Sequence, residues 1–163
     1  MIEWNKRPLE VKSLLNPAFI GKLLREFINE YSKERKEGVP FELIFLFIPL
    51  VLQKTFRDSL PKSTRTQLHI WLQEYPEFLI EYDKKVQKLI PYVKEATIIL
   101  LNERKIDINK DGKLIIGGEN FKRKKTESTS EIEEIIKKAK FMGKWLARSG
   151  SSATIYTLWG IKL

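Results

Sequence analysis

The sequence has no cysteine. Disulfides, thiolate metal sites and cysteine nucleophiles are excluded together, and the absence suits a reducing cytoplasm, where the chain is expected to work. Histidine is nearly as scarce, with His69 alone. A metal site needs several N, O or S donors, and no His-x-x-Glu or comparable companion accompanies this imidazole. Triads assemble in three dimensions, so spacing alone does not decide against one. Still, Ser149-Gly150-Ser151-Ser152 lacks the G-x-S-x-G frame of a nucleophile elbow, and His69 reads as a surface or capping residue. There is no GxxxxGK[ST] loop either. Gly143-Lys144 has Lys138 where the first glycine must stand, which leaves no backbone cradle for phosphates. The greasiest run, Phe41 to Leu52, contains Glu42 and Pro49 and falls well short of the roughly 20 apolar residues of a membrane span. The first residues, MIEWNKRPLEVKSLL, scatter charges through the segment and do not read as a signal peptide. The expectation is no enzyme, no cofactor, no metal and no membrane.

What is present favours folding. Hydrophobic residues make up 42% and charged residues 31%, with four Trp, five Tyr and nine Phe. That many large rings is more than a disordered chain carries. The formal net charge is +9, from 30 Lys and Arg against 21 Asp and Glu. Excess positive charge raises affinity for polyanions, nucleic acid or an acidic protein face. The other reading is lysine on solvated faces, since most of these lysines alternate with Glu or Asp.

Along the chain, residues 1–15 read as an N-terminal arm carrying Trp4, Pro8 and Leu9. Asn16-Pro17 reads as a helix start, Asn capping free N–H groups and Pro fitting the first turn. That helix runs to about Lys36, with Phe19, Leu23, Phe27 and Tyr31 on one face. A second helix, Phe41 to about Asp58, is apolar nearly all round and should kink at Pro49. Thr64 with Gln67 suggests a capping box for a third helix facing inward through Leu68, Trp71, Leu72 and Tyr75. A fourth helical stretch, Phe78 to about Glu103 and broken near Pro91, turns Tyr82, Val86, Leu89, Val93, Ala96 and Leu100 inward. Ile106-Asp107-Ile108 and Leu114-Ile115-Ile116 flank a hairpin turn at 109–112. Ser130 with Glu133 caps a further helix ending at Gly150. The segment from Ala153 to Leu163, rich in β-branched and aromatic residues, reads as a strand joining the hairpin. The fold class is α+β: a mainly helical, winged-helix-like bundle with a small antiparallel sheet made of the hairpin plus the C-terminal strand. The chain divides as a single domain, 1–163, with helices and hairpin over 16–118, a mobile basic loop over 119–129, and a last helix and strand over 130–163.

Two clusters of acidic residues invite chemistry. Asp107-x-Asn109-x-Asp111-Gly112 copies the first half of a calcium-binding EF-hand loop, but the twelfth position is Gly118 and Glu119 comes one residue late. The motif reads as a turn. Glu131, Glu133 and Glu134 sit in the first turn of a helix, where they complement its dipole. Among the cations, Lys122-Arg123-Lys124-Lys125 is the one concentrated feature. It reads either as a solvated loop or as a set of phosphate contacts. Arg57, Lys62 and Arg65 fall at the junction of the second and third helices, which in a helix-turn-helix approaches the DNA backbone. These seven residues are the candidate nucleic-acid or partner contacts. Arg65, His69 and Gln73 form a thin set for reading bases.

Several phrases resemble a known family when taken in order. They are Trp4-x-x-Arg7-Pro8, Leu14-Leu15-Asn16-Pro17-Ala18-Phe19, Phe45-Leu46-x-x-Pro49-Leu50-Val51-Leu52, and Leu60-Pro61 followed by Thr66-x-Leu68-x-x-Trp71. Pro91-Tyr92 with Glu95-Ala96, Phe141-x-Gly143-Lys144-Trp145-x-Ala147, and Tyr156-x-x-Trp159-Gly160 complete the set. Together they resemble the middle component of bacterial three-component ABC systems, departing at Gln53, where the pattern has His. The resemblance implies a small, kleisin-like, non-catalytic subunit in a Lamassu-type anti-phage defence complex. Its implied partners are an SMC- or Rad50-like ABC ATPase and an effector, and no catalytic residues come with it. The alternative is a winged-helix DNA-binding regulator. Trp4, Trp71, Trp145 and Trp159 fit either the core or interface anchors.

Overall fold

A computed structural model describes residues 15–118 and 129–162. The arm up to residue 14 and the basic loop, with Lys122, Arg123, Lys124 and Lys125, therefore lie outside the described residues. The protein is mainly helical with a small two-stranded antiparallel sheet. Helix α1 spans Pro17–Glu34 and starts as its sequence dictates: Ala18 N–H donates to Asn16 Oδ1 at 2.8 Å, and Pro17 occupies the first turn. Its inner face is Ile20, Leu23, Leu24, Phe27, Ile28 and Tyr31.

The apolar stretch that follows is not one kinked helix. It divides into a 3-10 turn at Phe41–Phe45, α2 at Ile48–Leu52 and α3 at Lys54–Ser59. Pro49 lies in the first turn of α2, where its missing N–H removes no hydrogen bond. The break comes at Gln53, which is extended at φ −88°, ψ 120°. The carbonyls left open there are met by the Arg57 guanidinium, which donates to Val51 O at 2.8 Å and Leu52 O at 3.3 Å. As expected, the apolar centre of the stretch is buried, from Leu43 through Val51.

Helix α4 is short, Leu68–Glu74, and Gln67 caps it without a side-chain hydrogen bond. The expected Thr64 box does not form, because the Thr64 hydroxyl accepts from Arg148 instead. A 3-10 turn at Pro76–Leu79 leads to α5, Tyr82–Asn102. This helix is continuous through Pro91, contrary to the expected break. Pro91 stands on the exposed side, where water can meet the carbonyl it leaves without a donor.

Strands β1 (Ile106–Ile108) and β2 (Leu114–Ile116) pair in the register Ile106↔Ile116, Asp107↔Ile115, Ile108↔Leu114. Asn109 Oδ1 accepts from the N–H groups of Asp111 and Lys113, and Gly112 adopts φ +74°. The half EF-hand motif is thus a built turn. Beside β2 stands Val39, which exchanges both backbone hydrogen bonds with Leu114.

Helix α6, Ser130–Ala147, is capped by Thr129 rather than Ser130, with Ile132 N–H donating to Thr129 Oγ1. The C-terminal segment is helix α7, Ser152–Trp159, and not a strand. Ser151 caps its start by accepting from Thr154 N–H, and Gly160 at φ +73° ends it. These caps, with burial of Ile155, Tyr156 and Trp159 on one side, override the β preference of its threonines and isoleucine. Helices α1 and α6 run parallel and close. Lys140 lies 3.7 Å from Glu26, Arg148 lies 3.1 Å from Glu34, and Gly143 faces the Phe27 carbonyl between them.

The core gathers around Trp71. Trp145 meets it edge-on at 5.6 Å, Trp159 lies 5.9 Å away, and Tyr82 packs on Trp159 at 5.2 Å. Tyr82, wholly buried, donates its hydroxyl to Leu46 O, and Tyr156 donates to Glu42 O. Burial holds the Tyr82 phenol well above the ordinary tyrosine range and pushes Tyr156 up to about 12. A phenol that holds its proton more tightly when folded contributes stability below pH 10, and that stability is lost as pH rises through the folded value. A spectrophotometric titration should therefore show these two phenols ionising well above pH 10. Smooth ionisation of all five tyrosines near pH 10 in a protein still folded by circular dichroism would contradict this packing.

Candidate partner interface

Of the three described cations singled out from the sequence, only Lys62 and Arg65 lie on the surface. Arg57 is 1% exposed. Besides the two carbonyls of α2, its guanidinium donates to Glu131 Oε1 at 3.1 Å, and its Nε lies 3.9 Å from Glu134. It ties α2 and α3 to the start of α6 and is enclosed, so it is not available to a DNA backbone. The acidic first turn of α6 accordingly has a second task besides the helix dipole. Replacing Arg57 by Met should cost about 3 kcal/mol, because charged hydrogen bonds to two carbonyls at a helix end are lost. Urea unfolding checks this, and an unchanged midpoint would refute it.

Lys62 and Arg65 are exposed in the connection between α3 and α4, and neither makes an ion pair among the described residues. His69, in the first turn of α4, is exposed too. It shares a cleft with Ser149, Arg148 and Leu158. The Ser149 hydroxyl donates to Trp145 O at 2.7 Å, Ser151 caps α7, and Ser152 donates to Glu42 Oε1. The three serines of the 149–152 run are thus engaged in holding the α6–α7 connection.

Part of the positive charge is neutralised along the α1–α6 seam. Glu26, Glu30 and Glu34 repeat every fourth residue on α1, and Lys140 and Lys144 on α6 with Arg148 at its C-cap do the same. Arg148 grips Glu34 with two hydrogen bonds, at 3.1 and 3.2 Å, and holds that carboxyl below the usual carboxylate range. Trp71, Trp145 and Trp159 are each 1% exposed and belong to the core; Trp4 lies outside the described residues.

The large apolar side chains left in solvent are isoleucines above all. Ile80 is 70% exposed, Ile98 54% and Ile108 50%, with Ile70, Ile99, Phe41 and Leu158 exposed to a lesser degree. Sequence reasoning missed them. It weighted aromatic anchors, and the run Ile98-Ile99-Leu100-Leu101 does not reveal from composition which members face outward. The helical period could have done so. Once Val93, Ala96 and Leu100 are taken as the inner face, Ile98 must point away.

No helix among the described residues is long and apolar enough to cross a membrane. Comparison with curated proteins gave no match, and comparison with solved structures gave none. The model of one protein family, described as the ABC-three component (ABC-3C) system Middle Component 3, matches residues 4–163. A middle component is an accessory subunit that works with protein partners in a multi-component system. Three of the phrases that carried the resemblance, those holding Trp71, Gly143 with Trp145, and Trp159, build the tryptophan core and the α1–α6 contact. With the match running over nearly the whole length, the chain belongs to the ABC-three component (ABC-3C) system Middle Component 3 family.

Proposed function

We propose that this chain is the non-catalytic adaptor that bridges an SMC- or Rad50-like ABC ATPase and an effector in a bacterial anti-phage defence complex. The observation that carries this reading is membership of the middle-component family over residues 4–163. The chemistry of the surface supports it. Arg57, Ser149, Ser152 and the three described tryptophans are engaged in holding the fold, while isoleucines that could have been core stand in water. Apolar side chains of that kind suit an interface that closes on assembly. Bridging makes a specific demand: the ATPase and the effector should co-elute only when this chain is added.

Reconstitution of the three purified components, each left out in turn, tests the proposal. The reading requires a ternary species with this chain and its loss without it. An ATPase and effector that associate equally well alone would refute the bridge. The competing reading, a winged-helix DNA-binding regulator, requires tight sequence-selective DNA binding by the isolated chain at physiological salt. The adaptor reading requires only weak binding with little sequence preference.

A further inference from the structure

An open cleft of about 360 Å³ lies where four parts of the fold meet, a volume within the range of ligand pockets. The last turn of α1 contributes Tyr31, the 3-10 turn Phe41 and Glu42, the hairpin turn Asp111 and Lys113, and the start of α7 Ser152. Tyr31 is 3% exposed, and its ring stacks on Phe27. Its hydroxyl makes no hydrogen bond among the described residues and is not sealed from solvent, so it opens on the cleft. Buried polar groups ordinarily have partners. The other two buried tyrosines, Tyr82 and Tyr156, each donate to a backbone carbonyl. Tyr31 stands apart.

The same cleft holds a carboxylate in a similar condition. Glu42 Oε1 accepts from the Ser152 hydroxyl, and the second oxygen has no donor. Glu42 makes no ion pair among the described residues. Glu74, Glu77, Asp83, Asp107 and Asp111 also lack one, but those five are exposed, whereas Glu42 is half-buried. The cations of the lining are largely committed. Arg35 donates through Nε to Ala147 O and lies 3.6 Å from Glu37, and Lys113 shares the hairpin turn with Asp111. Three carboxylates against two cations leave the lining negative, in a chain whose formal net charge is +9. Burial raises the Tyr31 phenol above the ordinary tyrosine range; Arg35 pulls it down, and Glu37 and Glu42 add to the rise. These groups therefore surround the hydroxyl.

A ligand that satisfies both Tyr31 and Glu42 donates hydrogen bonds and carries positive charge. A metal ion is poorly served, since no group of three or more His, Asp or Glu converges among the described residues. A guanidinium fits better: its five N–H donors lie in one plane and can meet a carboxylate and a hydroxyl together. Phe41, 40% exposed, lines the same cleft, and an aromatic face favours a flat guanidinium over an ammonium. We infer that this cleft receives an arginine side chain of a partner subunit, its guanidinium donating to Glu42 and Tyr31 and stacked on Phe41.

The inference rests on the subunit reading above. The full chain, Tyr31→Phe, Glu42→Gln and the control Glu74→Gln are titrated against the purified ATPase component and the purified third component of the same system. Tyr31→Phe removes a hydroxyl that holds nothing in the chain alone, and Glu42→Gln keeps an acceptor for Ser152. Both variants should therefore melt within about 3 °C of the parent. With the component that supplies the arginine, Glu42→Gln should weaken binding at least 10-fold and Tyr31→Phe about 3-fold. Glu74→Gln should bind as the parent does. Replacing the arginines of that component one at a time by lysine should reveal one whose loss is as large and which no longer responds to Glu42→Gln. Parent-like binding by both cleft variants would overturn the inference and leave the subunit reading intact. A parent chain that binds neither component would overturn both. Tighter binding by Glu42→Gln would assign the cleft to an anion at the start of α7 and overturn the arginine, as would weakened binding with no coupled arginine.

Discussion

Trp145→Ala should lower the stability of the chain by about 5 kcal/mol, a large share of the roughly 5–15 kcal/mol that a folded domain possesses. Trp145 is 1% exposed and stands edge-on to Trp71 at 5.6 Å and against Phe141 at 5.4 Å. Removing a buried indole costs about 3–5 kcal/mol through lost transfer energy and the cavity left behind. The indole N–H also donates to Thr66 O at 2.7 Å, across the gap between α6 and the entry to α4. Losing that donor strands a partly buried carbonyl, at a cost of about 1–3 kcal/mol. The two contributions overlap because the cavity admits some water, hence a figure below their sum. In a thermal melt the loss should lower Tm by about 10–20 °C. Trp145→Phe keeps much of the ring and should lose only about half as much. A drop of less than about 4 °C for the alanine variant would mean that the tryptophan cluster is not the centre of the fold.

Gly143→Ala tests the contact between α1 and α6 by its sign. In an ordinary helix interior the change is favourable by about 1 kcal/mol, because glycine is the poorer helix former. Here a Cβ at position 143 would sit 2.4 Å from the Phe27 carbonyl oxygen and 3.1 Å from Glu30 Cβ. The obstacle is backbone, so it cannot rotate away; the two helices must separate. Overpacking of this kind costs about 1–3 kcal/mol, occasionally more. A net destabilisation of about 2 kcal/mol is expected, read as a Tm drop of about 4–8 °C. Gly21→Ala is the control. Its Cβ would meet Leu100 Cδ2 at 3.4 Å, the far end of a flexible side chain, and that variant should be close to neutral. A stabilised Gly143→Ala protein would show that the helices do not approach as described.

How far the sequence foretold this structure depends on whether the signal was local. Asn16-Pro17 and the turn around Asn109 and Gly112 are written in neighbouring residues, and both form as read. The apolar stretch after Pro40 was legible as core, but its division at Gln53 was not, because Arg57 stabilises the break with help from α6, over 70 residues away. The C-terminal segment was misread for a related reason. Its β-branched residues favour a strand in isolation, while Ser151, Gly160 and the Trp71–Trp159 contact make a helix of it. Beside β2 stands Val39.

The candidate interface was harder to read than the fold. Cations and tryptophans stand out in a sequence, yet Arg57 and three tryptophans are enclosed. Ile98 and Ile99 do not stand out, since only their phase relative to the buried side of α5 marks them.

The account rests on the chain acting through partners, and the most direct measurement is the mass of what it forms. Co-expressed with the other two components of its system and examined by size-exclusion chromatography with light scattering, it should elute in a stoichiometric hetero-complex. Alone, at any concentration tested, it should show no turnover of nucleotide or nucleic acid. Elution of this chain by itself beside two partners that ignore it, or measurable hydrolysis by the chain alone, would contradict the account.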